Sequence, residues 1–399
     1  MKNNDTEKRL YLDFSASTPV DERVLVAMEP FWREQYANAL SNHFDGHKIE
    51  RVIKEAGGVV AQSIGAKQKE IHFTSGGTES NTWALKGVVE FVEEYNKDAK
   101  GLHVIIGAIE HSSVGGFINY ANKKGIEVSV VGVNAEGIIN VDEIKSALRP
   151  ETVLVSVLYV NNEIGTIQPI REIAEIIKSH RKNENNFILP NLDFRFPAFH
   201  SDASQGFLYL DTNVNDLGVD LLTLDGHKMY GPKGVGVLYI RDGLLLSPMF
   251  FSVDSTENKR YGTPPTPLIV GFGKAVEIAD NDREEYSQFV SGLRDYTINR
   301  LVSEFPELVI NGSRAKRLAS NISFSFPTQN HEYLAILLDE KRIDVSTKSA
   351  CRSLGNASHV IRALKGGNDS AIRVSLGKET SKEEMDYFID TLVSILKKS

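Results

Sequence analysis

The 399-residue chain has a single cysteine, Cys351, which excludes a disulfide within the chain and suits a reducing compartment. Positive charge is in deficit: 45 lysines and arginines face 53 acidic residues, for a formal net charge of -8. That balance argues against a broad, sequence-independent nucleic-acid surface. No apolar run approaches the length of a membrane span, and residues 1–8 are polar, without the apolar core of a signal segment. Internal repeats and low-complexity tracts are lacking too. Together these absences lead us to expect a cytoplasmic protein that neither enters a membrane nor binds nucleic acid directly. What is present is ordinary: 41% hydrophobic residues are enough for a packed core, and the length exceeds what one core fills. Two domains, or one large domain with an appendage, are expected.

Apolar runs and helical spacing alternate along the first half. A short strand is expected at 10–14 and helices at 21–32 and 48–64, the last closed by Gly65. Strands at 71–74, 104–106, 128–131 and 153–159 then alternate with helices at 78–95, 112–124, 141–148 and 170–181. The strands are apolar throughout, so the rhythm predicts an α/β fold, a mainly parallel sheet with helices on both faces. Residues 183–197 break the rhythm and read as an inserted surface loop. Beyond Ile240 the spacing predicts helices at 268–280, 284–305, 332–340, 358–364 and 382–398. Strands are expected at 321–326 and 372–376, which makes a smaller α+β domain.

The stretch from Asp225 to Gly234, Asp-Gly-His-Lys-Met-Tyr-Gly-Pro-Lys-Gly, joins two apolar runs. Lys228 therefore sits in a tight connection between buried strands. A partly apolar setting disfavours its charge and frees the amine as a nucleophile, suited to a Schiff base with a carbonyl cofactor. A solvated loop lysine is the plain alternative. Thr74 to Ser80, Thr-Ser-Gly-Gly-Thr-Glu-Ser, lies between a strand and a helix, where free amides favour an anion. An ordinary helix capped by Ser75 or Thr78 explains it equally. Asp202 follows a strand and suits a pyridinium partner, or else an N-cap. His111 suits ring stacking or proton transfer, or else a satisfied surface or core position. Asn162 lies in a polar strand end that also reads as a turn. Cys351, flanked by Lys348 and Arg352, has a setting that raises thiolate content, although a functionless surface thiol fits as well. The small residues around it are expected to let the segment swing. Taken together, Lys228, Asp202, His111, Asn162 and Thr78 all fall at a strand end or helix start. That is one edge of one sheet, where ligands bind in such folds.

The chain resembles the pyridoxal-phosphate-dependent cysteine desulfurases, class-V aminotransferase-like enzymes of fold type I, nearly from end to end. The motifs that carry the resemblance are Thr74 to Ser80, Glu110-His111, Val160 to Gly165, Asp202 to Gln205, Gly226 to Gly234, Ser349-Ala350-Cys351 and Ile372 to Gly377. The Ser-Ala-Cys context is similar to the branch with a long cysteine loop. The resemblance implies a large cofactor-binding domain at 18–262, with 1–17 and 263–399 forming the smaller domain that carries the cysteine. It implies pyridoxal 5'-phosphate on Lys228, its ring nitrogen on Asp202 and its ring stacked on His111. Gln205 and Asn162 would contact the ring oxygen or substrate. Gly77, Thr78 and His227 would hold the phosphate, with Thr263 supplied by the other subunit of a homodimer. Arg373 would grip the carboxylate of L-cysteine. Cys351 would take the sulfur as a persulfide and leave alanine. No metal is implied. The sulfur would pass to an acceptor protein, for iron–sulfur assembly, tRNA thiolation or DNA phosphorothioation.

Four features depart from the family pattern. Asp225 stands where the family commonly has a serine that hydrogen-bonds the phosphate, so it either turns away or weakens cofactor binding. Residues 250–254 replace a glycine-rich run, Leu40 stands near a family proline, and the 183–197 segment is long. Two alternatives stay open: a lyase or transaminase on the same scaffold, and a degenerate binding subunit of a sulfur-relay complex.

Overall fold

A computed structural model describes residues 9–95, 101–182, 194–250, 260–347, 358–364 and 369–397. The strands in chain order are β1 (Leu10–Tyr11), β2 (Ile71–Thr74), β3 (His103–Gly107), β4 (Glu127–Val131), β5 (Thr152–Ser156) and β6 (Ala198–Asp202). They continue with β7 (Leu221–Asp225), β8 (Gly236–Ile240), β9 (Val309–Ile310), β10 (Asn321–Ser325), β11 (Ile343–Asp344) and β12 (Ile372–Ser375). Seven of them form one sheet in the order β2-β8-β7-β6-β5-β3-β4. Only β8 runs against its neighbours, β7 and β2. The fold is thus α/β with a mainly parallel sheet. The carboxyl ends of β2, β3, β5, β6 and β7 all reach the same edge.

Side-chain alternation sends each strand into two cores. Ile105, Leu222, Leu224, Val237 and Tyr239 enter one, with Val60 of the helix Phe44–Ser63 and Phe272 of the helix Thr266–Glu304. Val104, Ile106, Leu221, Leu238 and Ile240 enter the other, with Trp83, Val88 and Val92 of the helix Gly77–Tyr95. Helices therefore cover both faces, as the apolar strands require. β4 is an outer strand, and its Glu127 and Val130 are exposed. A separate antiparallel sheet, β12-β10-β9, and the parallel pair β1-β11 complete the strands of the described residues. Bridges from Asp13 to Ser375 and from Ser346 to Arg373 tie these pieces together.

Several expected elements are redrawn. One continuous helix, Thr266–Glu304, replaces the pair at 268–280 and 284–305. Residues 281–283 hold no glycine or proline to stop it, and Arg283 pairs with Asp280 one turn back at 2.5 Å. Conversely, the helix expected at 21–32 divides into Glu22–Met28 and Pro30–Arg33, because Pro30 has no N–H to continue the ladder. The helix expected at 112–124 divides around Gly116 into Ser112–Gly115 and Phe117–Lys124. Of the expected surface loop at 183–197, residues 183–193 lie outside the described residues, and the return end is core. Phe194 and Phe196 are buried in the second cluster, and Arg181 lies over the Phe194 ring while donating to the Pro197 carbonyl. Among the described residues no helix is long and apolar enough to cross a membrane.

Candidate active site

At the shared edge one cavity is lined by Lys228, Asp202, His111, Arg373, Asn162, Gln205, Gly77, Thr78 and His227. Residues scattered over almost 300 positions meet there because five strands end together and the small sheet leans in.

Lys228 closes the turn Gly226–Lys228 directly after β7. Its Nζ donates to the carbonyls of Ser15 at 2.7 Å and Ala16 at 2.8 Å. Burial pushes its pKa down to about 8, aided by the charge of Arg373 and opposed by Asp225, Asp13 and Asp202. Two residues on, Tyr230 adopts φ 59°, a conformation that side chains resist; its N–H bonds Thr18 Oγ1 at 2.8 Å, which holds the turn in place.

Asp202 ends β6. Its Oδ2 accepts from Asn81 Nδ2 at 2.7 Å, and its Oδ1 accepts from the Ser204 N–H at 3.0 Å. Asn81 also donates to Ser113 Oγ at 2.8 Å, and that oxygen lies 2.8 Å from His111 Nδ1. The chain Asp202–Asn81–Ser113–His111 thereby fixes carboxylate and imidazole relative to each other. The Ser113 N–H donates to His111 Nδ1 at 3.3 Å, which leaves the proton of the neutral ring on Nε2. Burial lowers the pKa of His111, with Lys228 adding to the effect and Asp202 and Asp225 opposing it. Beside it Glu110 is fully enclosed, and burial pushes its carboxyl well above the usual range. Its Oε1 accepts from the Leu158 N–H at 2.9 Å.

Arg373, on β12, is 2% exposed. It donates to Asp13 Oδ1 at 2.6 Å and to the Asn162 carbonyl at 3.1 Å. Its Nε has no partner among the described residues, so a buried N–H is available to an anion at the cavity wall. Ser204 Oγ and Asn81 Oδ1 are buried without partners among the described residues in the same way.

The helix Gly77–Tyr95 begins at the cavity, but neither Ser75 nor Thr78 caps it through its side chain. Asp225 Oδ2 accepts the Gly77 N–H at 2.8 Å instead. Asp225 therefore does not turn away. Its Oδ1 lies 2.6 Å from His227 Nδ1. Gly76 has φ 144°, and a Cβ on Gly77 would lie 3.1 Å from Asp225 Oδ2, so glycines keep this cradle open.

Two expected residues are not among those that line it. Thr263 is exposed and does not line this cavity. Cys351, with Lys348 and Arg352, lies outside the described residues. Leu40 is 72% exposed. Sequence reasoning missed Asn81, Ser204, Ser15 and Ala16, which line the cavity as well. Asn81 carried a readable signal, a polar residue on the buried stripe of an apolar helix; Ser15 and Ala16 carried none.

An amine of lowered pKa, a fixed carboxylate, a neutral imidazole, an unsatisfied guanidinium N–H and a glycine-lined helix start suit a flat aromatic aldehyde bearing an anion. Residues 10–388 match the model of the aminotransferase class-V family. The chain is 39% identical over 396 residues to the cysteine desulfurase IscS of Dictyoglomus turgidum, across 98% of this chain and 95% of that protein. A solved NifS-like protein superposes with a TM-score of 0.87 at 32% identity, covering 98% of this chain and all of that one. SspA, solved in complex with cysteine, superposes with a TM-score of 0.76 at 32% identity over 92% of this chain and 99% of that one.

Proposed function

The chain belongs to the aminotransferase class-V family, within its cysteine desulfurases, and from that premise we propose that it moves the sulfur of L-cysteine onto Cys351, leaving alanine, with pyridoxal 5'-phosphate as cofactor. The observation that carries this reading is the meeting of Lys228, Asp202, His111 and Arg373 around one cavity. When bound, the cofactor supplies an electron sink for the substrate carbon. Lys228 would hold it through an amine that is partly neutral near pH 7. Asp202, oriented by Asn81, would keep the ring nitrogen protonated, while Gln205 and Asn162 lie within the same wall. His111 would accept and return protons through Nε2. Arg373 would take the substrate carboxylate with its unsatisfied Nε, a planar task that lysine cannot match. The Cys351 thiolate would bond to the substrate sulfur as the carbon–sulfur bond breaks. That electron pair stays with the carbon, which gains a proton to become alanine, so the exchange is redox-neutral.

The same reading takes 18–262 as the cofactor-binding domain and 1–17 with 263–399 as the smaller one. It makes the working form a cytoplasmic homodimer that passes its persulfide to an acceptor protein. The test is Cys351→Ser. We expect purified wild type to be yellow, and the variant to keep its spectral change on adding cysteine while producing no alanine. Mass spectrometry of wild type after turnover should find an added sulfur on the peptide carrying Cys351. Undiminished alanine from the variant would establish a lyase instead.

A further inference from the structure

We propose that Asp225 couples binding of the cofactor phosphate to the uptake of a proton, so that retention of the cofactor weakens as pH rises. The inference rests on the cofactor reading above and concerns what this chain does differently at that site. Where the family commonly offers a serine hydroxyl, this chain places a carboxylate, and the carboxylate already occupies an anion position: Oδ2 takes the Gly77 N–H at 2.8 Å and Oδ1 lies 2.6 Å from His227 Nδ1. Asp225 is 7% exposed. It faces the cradle cavity together with Gly76, Thr78, His227 and Lys233. A phosphate entering that cradle must compete for the Gly77 amide and sit beside a buried like charge, where water screens little.

The neighbouring charges do not remove the conflict. His227 is already engaged by Asp225, and Lys228 is committed to the Ser15 and Ala16 carbonyls. Glu79, at the start of the same helix, adds another negative charge; it is tied to the Ser75 N–H at 2.9 Å and to Arg260 at 3.0 Å. Asp202 lies across the cavity and is held by Asn81, and His111 stands beside it. Among the described residues, Lys233 is the remaining cation on the cavity wall. Protonating Asp225 resolves the conflict at once. The acid no longer repels the phosphate, it gains an O–H to donate as a serine would, and the Gly77 N–H is released. Without phosphate the carboxylate form prevails: burial opposes it, but the bond and charge of His227, the Gly77 amide and Lys228 hold the Asp225 pKa below its ordinary value. Phosphate raises that pKa. Proton uptake therefore occurs at pH values between the two, and affinity falls across that interval by up to about tenfold per pH unit.

The holoenzyme is stripped of cofactor and titrated calorimetrically with pyridoxal phosphate, in two buffers of different ionisation enthalpy and at several pH values. The chains compared are wild type, Asp225→Ser and Asp225→Asn. Wild type is expected to take up about one more proton per site than either variant, and its affinity relative to the variants to fall by up to about tenfold per pH unit. Asparagine keeps an oxygen for the Gly77 N–H, so one variant remains informative if the other folds poorly. Pyridoxal, which lacks the phosphate, should show no such difference. Cofactor binding with equal proton counts in all three chains overturns this inference alone. Failure of every chain to bind the cofactor or become yellow overturns the cofactor reading and this inference with it.

Discussion

At the scale of single residues the proposed chemistry turns on Lys228. With a pKa near 8, about one molecule in ten carries a neutral amine at pH 7, against roughly one in a few thousand for an ordinary lysine. The sign is fixed by burial, which penalises the ammonium form, so reactivity rises with pH through about 8 and then levels. We expect the rate at which cofactor-free protein captures pyridoxal to be half-maximal near pH 8 and flat above it. Stopped-flow absorbance would read this, and a rate still climbing tenfold per unit at pH 10 would mean an unperturbed lysine. Pyridoxal is the chosen probe because it carries no phosphate for Asp225 to sense. Lys228, Asp202, His111, Asn162 and Thr78 were legible in the sequence because each follows an apolar run or opens a helix, which fixes their common edge once the sheet is known to be parallel. Ser15 and Ala16 were not. They reach Lys228 through backbone carbonyls from more than 200 residues away, and a carbonyl contact leaves no trace in residue type. Asp225 was legible as a misfit, whereas its two partners, an amide and an imidazole, had to be seen in place.

At the scale of elements, strand ends position the site and a close approach of backbones shapes it. Gly236 opens β8 and pairs with Thr74 and Asp225 on either side. A Cβ there would lie 2.7 Å from Gly76 Cα and 2.7 Å from the Leu224 carbonyl oxygen, both backbone atoms that cannot swing aside. Gly236→Ala must therefore push the glycine turn before the helix Gly77–Tyr95 away from β8. The expected cost is about 1–3 kcal/mol of stability, as for other overpacked sites. The displaced amides should also lose cofactor out of proportion to that cost. Denaturant midpoints and cofactor content would separate the two effects; a variant with wild-type midpoint and full cofactor would show that the cradle tolerates the shift. Most elements were legible because each apolar strand carries its own period. The merged helix Thr266–Glu304 was not, because a polar stretch such as 281–283 looks like a break unless one sees that an exposed helical turn needs no apolar residue. The segment around Phe194 and Phe196 misled in the opposite sense. Its polar neighbours suggested a surface, while its own aromatic rings are core.

At the scale of the whole molecule, the site is assembled from pieces that the chain order keeps apart, and one expected piece lies outside it. The segment after β1 supplies Ser15 and Ala16, β12 supplies Arg373, and the strand ends of the large sheet, the connections that follow them and the start of the helix Gly77–Tyr95 supply the rest. Thr263 is exposed and lines no part of its own chain's cavity, which is the position expected of a residue that completes a neighbour's site in a homodimer. Mixed dimers make this testable without a structure of the assembly. One chain carries Lys228→Ala and the other Thr263→Ala, each with a different affinity tag so that only mixed dimers are recovered. If Thr263 acts across the interface, the site that keeps Lys228 also receives an intact Thr263 from the other chain, while the remaining site collects both lesions. Half the sites should then bind cofactor with wild-type affinity. If Thr263 acts within its own chain, the only site with Lys228 also carries Thr263→Ala, and its affinity should match that of the Thr263→Ala homodimer, weaker by about tenfold for the loss of a hydrogen bond to a charged group. Titration of the mixed dimer, followed by the growth of the yellow colour, separates the outcomes: wild-type affinity at half occupancy places Thr263 in the partner's site, and weakened affinity at half occupancy refutes it.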